Sequence, residues 1–165
     1  MGTVTEARLV TVGVSDMKVS DNQGDTLITY SLGSCLGLSL YDPRTRTGGL
    51  LHSMLPFSKI APEKCRENPF MFTDAGVQAF LQELFDRGAK RGNLVAKVAG
   101  CAQLQDEKGF FRIGERNYAV LRKVLWKNDI LIAAEDIGGS ISRTVSLEIS
   151  TGRTRIRSGT VRREL

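Results

Sequence analysis

The stretch Leu32-Gly33-Ser34-Cys35-Leu36-Gly37-Leu38-Ser39-Leu40-Tyr41-Asp42-Pro43-Arg44-Thr45 decides the fold. Leu36, Leu38 and Leu40 fall on one side and Gly37, Ser39 and Tyr41 on the other, the alternation of a β-strand. Asp42-Pro43 then opens a turn, since Asp suits the first position of a type I turn and the fixed φ of Pro suits the second. Gly48 to Leu55 reads as the return arm of a hairpin. A pivot between Pro43 and Arg44 sets Cys35 opposite His52, with Cβ atoms about 4.5–5.5 Å apart. A one-residue slip would turn one of the two to the other face.

Outward from this hairpin, Leu9 to Val19 reads as a first strand and Thr26 to Tyr30 as a second, the latter favoured by β-branched Thr26, Ile28 and Thr29. Val77, Phe80, Leu81, Leu84 and Phe85 form one apolar helical face, with Thr73 placed to cap its start and Gly88 its end. Leu94 to Gly100 is a further strand. Gly114 to Lys127 is a second helix, with Tyr118, Leu121, Val124 and Leu125 inward and Asn128 at its C-cap. The apolar run Ile130 to Ala134 predicts a buried strand. Val145 to Ser150 and Arg153 to Arg157, joined through Thr151-Gly152, form a closing hairpin. Two helices among about eight strands, not alternating with them, give an α+β fold: stacked, sandwich-like β-sheets with both helices on one face. No repeat or linker divides residues 1–165, which read as a single domain.

The chain of 165 residues carries 23 Lys+Arg against 18 Asp+Glu, a formal charge of +5, and is 41% hydrophobic and 25% charged. A chain of this size can bury a core without a disulfide or metal staple. Cys35, Cys65 and Cys101 are odd in number and show no Cys-x-x-Cys spacing, which suits a reducing cytoplasm. No apolar run is long enough to insert into a membrane, and Met1 to Lys18 lacks the apolar segment of an export signal. His52 is the only histidine, which excludes multi-histidine metal sites and two-histidine relays. No cofactor or metal is implied. Arg153, Arg155, Arg157, Arg162 and Arg163 make a basic C-terminal stretch, but solvation of an edge strand explains them, and no nucleic-acid partner is expected.

Cys35 and His52 are therefore the candidates for chemistry. A thiol is only ~3% ionised at pH 7, so an adjacent imidazole that takes its proton turns it into a usable nucleophile. The imidazolium can later protonate a leaving amine. Gly33 and Ser34 are small enough for the chain to bend and aim backbone N–H groups at an oxyanion. The plainer alternative is a small core cysteine among leucines and a satisfied buried histidine. Cys65 falls in a charged, Pro-bounded loop and reads as an exposed bystander. Cys101, at a strand end, reads as core packing.

Gly33-Ser34-Cys35, Tyr41-Asp42-Pro43, Gly48-Gly49, His52 and Met54-Leu55-Pro56 together resemble the signature of the chemoreceptor glutamine deamidases, CheD. Ile113-Gly114-Glu115-Arg116-Asn117 resembles the family's Ile-Gly-x-Arg-Asn. Asp136-Ile137-Gly138-Gly139, with Arg143 and Val145, resembles its Asp-x-Gly-Gly-x-x-x-Arg-x-Val. The resemblance is strongest over residues 26–157. It implies hydrolysis of glutamine side-chain amides on the cytoplasmic helices of chemoreceptors, with Cys35 as nucleophile, His52 as general base and acid, and Thr29 as third member. It also implies a docking role toward a CheC-like chemotaxis phosphatase, which as a sole function is the alternative to catalysis. Two departures stand out: Ser31 occupies a position often glycine in the family, and Ala99-Gly100-Cys101-Ala102 replaces a Gly-Gly-Ala segment.

Overall fold

The computed structural model describes residues 5–104 and 111–165. Among the described residues ten strands form two five-stranded sheets, and two principal helices cover one of them. The first sheet runs β1 (Arg8–Thr11), β3 (Asp25–Leu32), β8 (Arg143–Glu148), β9 (Thr154–Ser158), β10 (Val161–Glu164). The second runs β2 (Asp16–Ser20), β5 (Thr47–Ser53), β4 (Leu36–Asp42), β6 (Val95–Gly100), β7 (Ile132–Ile137). The helices are α1 (Pro62–Glu67), α2 (Thr73–Asp86) and α3 (Ile113–Lys127). The expected α+β, stacked-sheet architecture is what is observed.

The alternation read from the sequence explains the layering. Leu36, Leu38 and Leu40 of β4 pack with Val77, Phe80 and Leu84 of α2 and Leu121 and Leu125 of α3. The opposite face meets the other sheet, where Tyr41 and Leu50 pack with Leu27, Leu32, Val145, Leu147 and Ile156. Every residue of β4 and β5 is consequently buried. Such burial leaves little room between the layers. A Cβ on Gly37 would lie 2.6 Å from Leu32 Cδ1, so the glycine lets the two sheets close at this point.

Several sequence expectations are corrected. The stretch Leu9 to Val19 is two strands in different sheets, because the chain reverses at Ser15, which has φ +56°. The 42–47 turn spans four residues, Pro43 to Arg46, with Arg46 at φ +52°. Asp42 Oδ1 accepts from Arg44 N and Thr45 N, at 2.8 and 3.3 Å. The hairpin register thereby moves by two residues, and His52 pairs with Gly37 instead of Cys35. The strand predicted at Ile130 to Ala134 is β7, an edge strand with exposed alternate residues, and Leu131 before it is 86% exposed. Cys65 lies half-buried on α1, not on an exposed loop. Phe72, not Thr73, is the N-cap of α2, because the Thr73 hydroxyl turns inward. At the other ends, Gly88 with φ +95° and Asn128 at the C-cap of α3 stand as expected.

Candidate active site

Cys35 sits in the short connection from β3 to β4, and each carbonyl of that connection is tied to the protein. Gly33 O accepts from Ala102 N at 2.9 Å, Ser34 O from Asn117 Nδ2 at 3.1 Å, and Cys35 O from Cys101 N at 2.8 Å. The last of these prolongs the β4–β6 ladder by one rung beyond Leu36↔Gly100. Ser31, ahead of this segment, has φ +57°, a conformation that favours glycine. Cys35 itself is half-buried and packs against the layer between the sheets.

His52, on β5, is fully buried and points into the same layer. Its Nδ1 lies 2.7 Å from the Thr29 hydroxyl of β3, so the contact crosses from one sheet to the other. The same hydroxyl donates to Val12 O at 2.8 Å. A hydroxyl has one proton, and here it goes to the carbonyl. Nδ1 therefore carries the ring hydrogen and donates it to Thr29 Oγ1. In the neutral ring this leaves Nε2 bare, and among the described residues that nitrogen is buried with no hydrogen-bond partner. Burial lowers the His52 pKa to about 4, so the imidazole is uncharged at neutral pH. Burial also raises the Cys35 thiol above its ordinary value. Both side chains are therefore uncharged at neutral pH.

The two-residue register shift is even. Gly37 faces His52 and Cys35 precedes Gly37 by two positions, so the even shift keeps positions 35 and 52 on one face of the sheet. An odd shift would have separated them. In front of Cys35 opens a cleft of about 860 Å³, lined by Ser34, Leu104, Phe111, Ile113 and Tyr118 among others. Cys101 also lines it, but burial pushes that thiol up to about 12, which leaves it protonated and inert. The buried Arg143 guanidinium braces the far wall by donating to Gly138 O at 2.8 Å and Gly100 O at 3.3 Å.

Of the residues expected at the site, Thr29 and His52 meet through a hydrogen bond across the sheets, and Cys35 lies two positions before Gly37, the register partner of His52. A second polar cluster went unread: Ser53, Thr73 and Asn117 form a buried chain that reaches Ser34. Its signals are a polar Asn117 in the apolar stripe of α3 between Gly114 and Leu121, and the place of that residue at the end of the Ile113-Gly114-Glu115-Arg116-Asn117 motif.

The cross-sheet bond has a measurable worth. Thr29→Val would leave the buried Nδ1–H and the Val12 carbonyl without partners, at an expected cost of about 2–4 kcal/mol. Thr29→Ser, which keeps the oxygen, should lie much nearer the parent chain. Urea denaturation of the three proteins checks this, and equal midpoints for the Val and Ser variants would contradict the assigned bonding.

Residues 54–158 match the family described as CheD chemotactic sensory transduction. The chain is 48% identical over 156 residues to the "Probable chemoreceptor glutamine deamidase CheD" of Solibacter usitatus, covering 94% of this chain and 92% of that protein. It is 45% identical to the "Probable chemoreceptor glutamine deamidase CheD 1" of Syntrophus aciditrophicus, covering 90% and 93%. Among solved structures, the Bacillus licheniformis hypothetical protein YfiH is similar with a TM-score of 0.46 at 13% identity, covering 83% of this chain and 60% of that one. Sequence identity sustained over nearly the full length of both chains, together with the family match, shows that this chain belongs to the CheD family.

Proposed function

We propose that the chain is a cysteine-dependent protein-glutamine deamidase that acts in the cytoplasm on the receptor helices its relatives are named for. The observation that carries the mechanism is the commitment of the Thr29 proton to Val12, which makes Nε2 the basic nitrogen of His52. The names of the relatives supply the substrate class. Acidic receptor helices would also be drawn by the formal charge of +5.

The reaction proceeds in two halves. His52 Nε2 takes the Cys35 proton as sulfur attacks the glutamine carboxamide carbon, so that a C–S bond forms and the carbonyl π electrons move to oxygen. Backbone N–H groups of the Gly33-Ser34-Cys35 segment stabilise this oxyanion. Collapse breaks the C–N bond, and the imidazolium gives its proton to the departing ammonia. Water, deprotonated by the same Nε2, then cleaves the thioester, giving glutamate and the Cys35 thiol. The balance is glutamine plus water to glutamate plus ammonia. Thr29 acts through His52 as a positioning residue.

The test mixes the purified chain with glutamine-bearing chemoreceptor cytoplasmic fragments and follows ammonia together with peptide mass. Ammonia release matched by a gain of about 1 Da at individual glutamines, the mass signature of amide-to-acid exchange, is expected. Absence of both across several receptors would overturn the catalytic reading and leave docking to a chemotaxis phosphatase as the role to assay.

A further inference from the structure

We infer that Asn117 is a positioning residue that sets the oxyanion-binding N–H of Cys35; the inference rests on the reading of Cys35 as nucleophile. Asn117 lies on α3, is fully buried, and uses both hydrogens of its amide. One goes to Ser34 O at 3.1 Å and the other to Met54 O at 3.0 Å. Its Oδ1 accepts from the Thr73 hydroxyl at 3.1 Å. Thr73 has thereby spent its proton, so the 2.8 Å contact with Ser53 is a bond donated by Ser53. The chain is satisfied from end to end.

Its location gives it a task. The β4–β5 ladder ends at Leu36↔Ser53, and the next rung would hold Cys35 and Met54. There the strands part, because Met54 N and Leu55 N turn to bond Met71 O, both at 3.0 Å. Two carbonyls, of Ser34 and Met54, are left converging on one buried spot. A carboxamide nitrogen, uncharged and carrying two N–H groups, is the group that can satisfy both.

The consequence for chemistry follows from the peptide bond. The Ser34 carbonyl and the Cys35 N–H belong to one planar trans unit and point in opposite directions. Fixing the carbonyl on Asn117 therefore aims the N–H away from α3. That N–H lies close enough to the Cys35 sulfur to favour the thiolate, although burial outweighs it. Among the described residues it has no other acceptor. It is thus held beside the attacking sulfur, where oxygen charge develops during attack on a carboxamide.

A comparison of two reactions of Cys35 tests this. Deamidation develops an oxyanion, whereas alkylation by iodoacetamide is a displacement at saturated carbon and develops none. For Asn117→Ala, and for the isosteric Asn117→Asp, kcat should fall about 10²–10³-fold with KM changed by less than about threefold. The rate of Cys35 alkylation, read by peptide mass spectrometry on the folded protein, should stay within about threefold of the parent. Thr73→Val, which removes the hydroxyl that orients the amide, should show a smaller split of the same sign, and Thr73→Ser should restore kcat. If the Asn117 variants fail to fold, the Thr73 pair decides. Parent-like kcat, or deamidation and alkylation falling in parallel, overturns the role. Activity surviving in Cys35→Ala would instead overturn the reading beneath it.

Discussion

Cys35→Ala should release no ammonia above the uncatalysed background from any receptor fragment that the parent chain deamidates. Both halves of the reaction pass through a bond to this sulfur, and neither remaining thiol can replace it. Cys101 is buried and its thiol is held at about 12, while Cys65 lies on α1 away from the cleft. The cost to the fold should be small, about 1 kcal/mol, because a half-buried sulfur is removed without stranding a hydrogen bond. Parallel ammonia assays and denaturation curves separate the two effects. Residual turnover in a folded variant would show that the nucleophile lies elsewhere.

His52→Ala should lower kcat by about 10²–10⁴-fold, the range for loss of a group that serves as both base and acid. Its pH dependence is more diagnostic. With the His52 pKa lowered by burial to about 4, the basic form persists through the weakly acidic range. Activity should therefore hold below the usual histidine range and fall only as the pH approaches about 4. A rate that fell instead with a midpoint near the ordinary imidazole value would contradict the buried neutral base.

Stability follows from the same burial. The unfolded chain protonates this imidazole near 6.5 and the folded chain only near about 4, so between those values protons favour the unfolded state. The stabilisation is complete above the unfolded value and declines on acidification, reaching a loss of about 3 kcal/mol near the folded value. His52→Ala should flatten that part of the curve. Asp25, whose carboxylate is held below its ordinary value by Arg8 and Ser20, contributes a separate acid loss present in both proteins, so the difference between them isolates His52.

Local pattern carried far in this chain. The alternation through Leu36, Leu38 and Leu40 located the strand that both helices cover, and the spacing from Val77 to Phe85 located α2. The hairpin register was beyond reach. It depended on Asp42 capping two amides and on Arg46 adopting a positive φ, and residue type alone does not dictate either. The expected pairing of Cys35 with His52 was lost to Gly37, but the error was even, which keeps side chains on their face. The break between β1 and β2 was hidden because Gly13, Val14 and Ser15 bear no strong turn signal. Residue pattern alone gave no sign of the bond between Thr29 and His52, which joins strands of separate sheets and exists only after those sheets pack; only the family resemblance pointed to Thr29. Asn117 shows the same limit: its partners are two backbone carbonyls, and backbone geometry leaves no letter in a sequence.

That the histidine proposed as base sits on one sheet and the residue bonded to its Nδ1 on the other has a consequence for the life of the chain during folding. Neither sheet alone contains a base with a defined proton. On the proposed mechanism, a chain caught with the layers undocked has a cysteine but no directed acceptor for its proton, so intermediates emerging from synthesis or heating should be inert toward amides. Hydrolytic activity then reports docking of the layers themselves, and on heating it should vanish with the cooperative loss of the whole fold rather than before it.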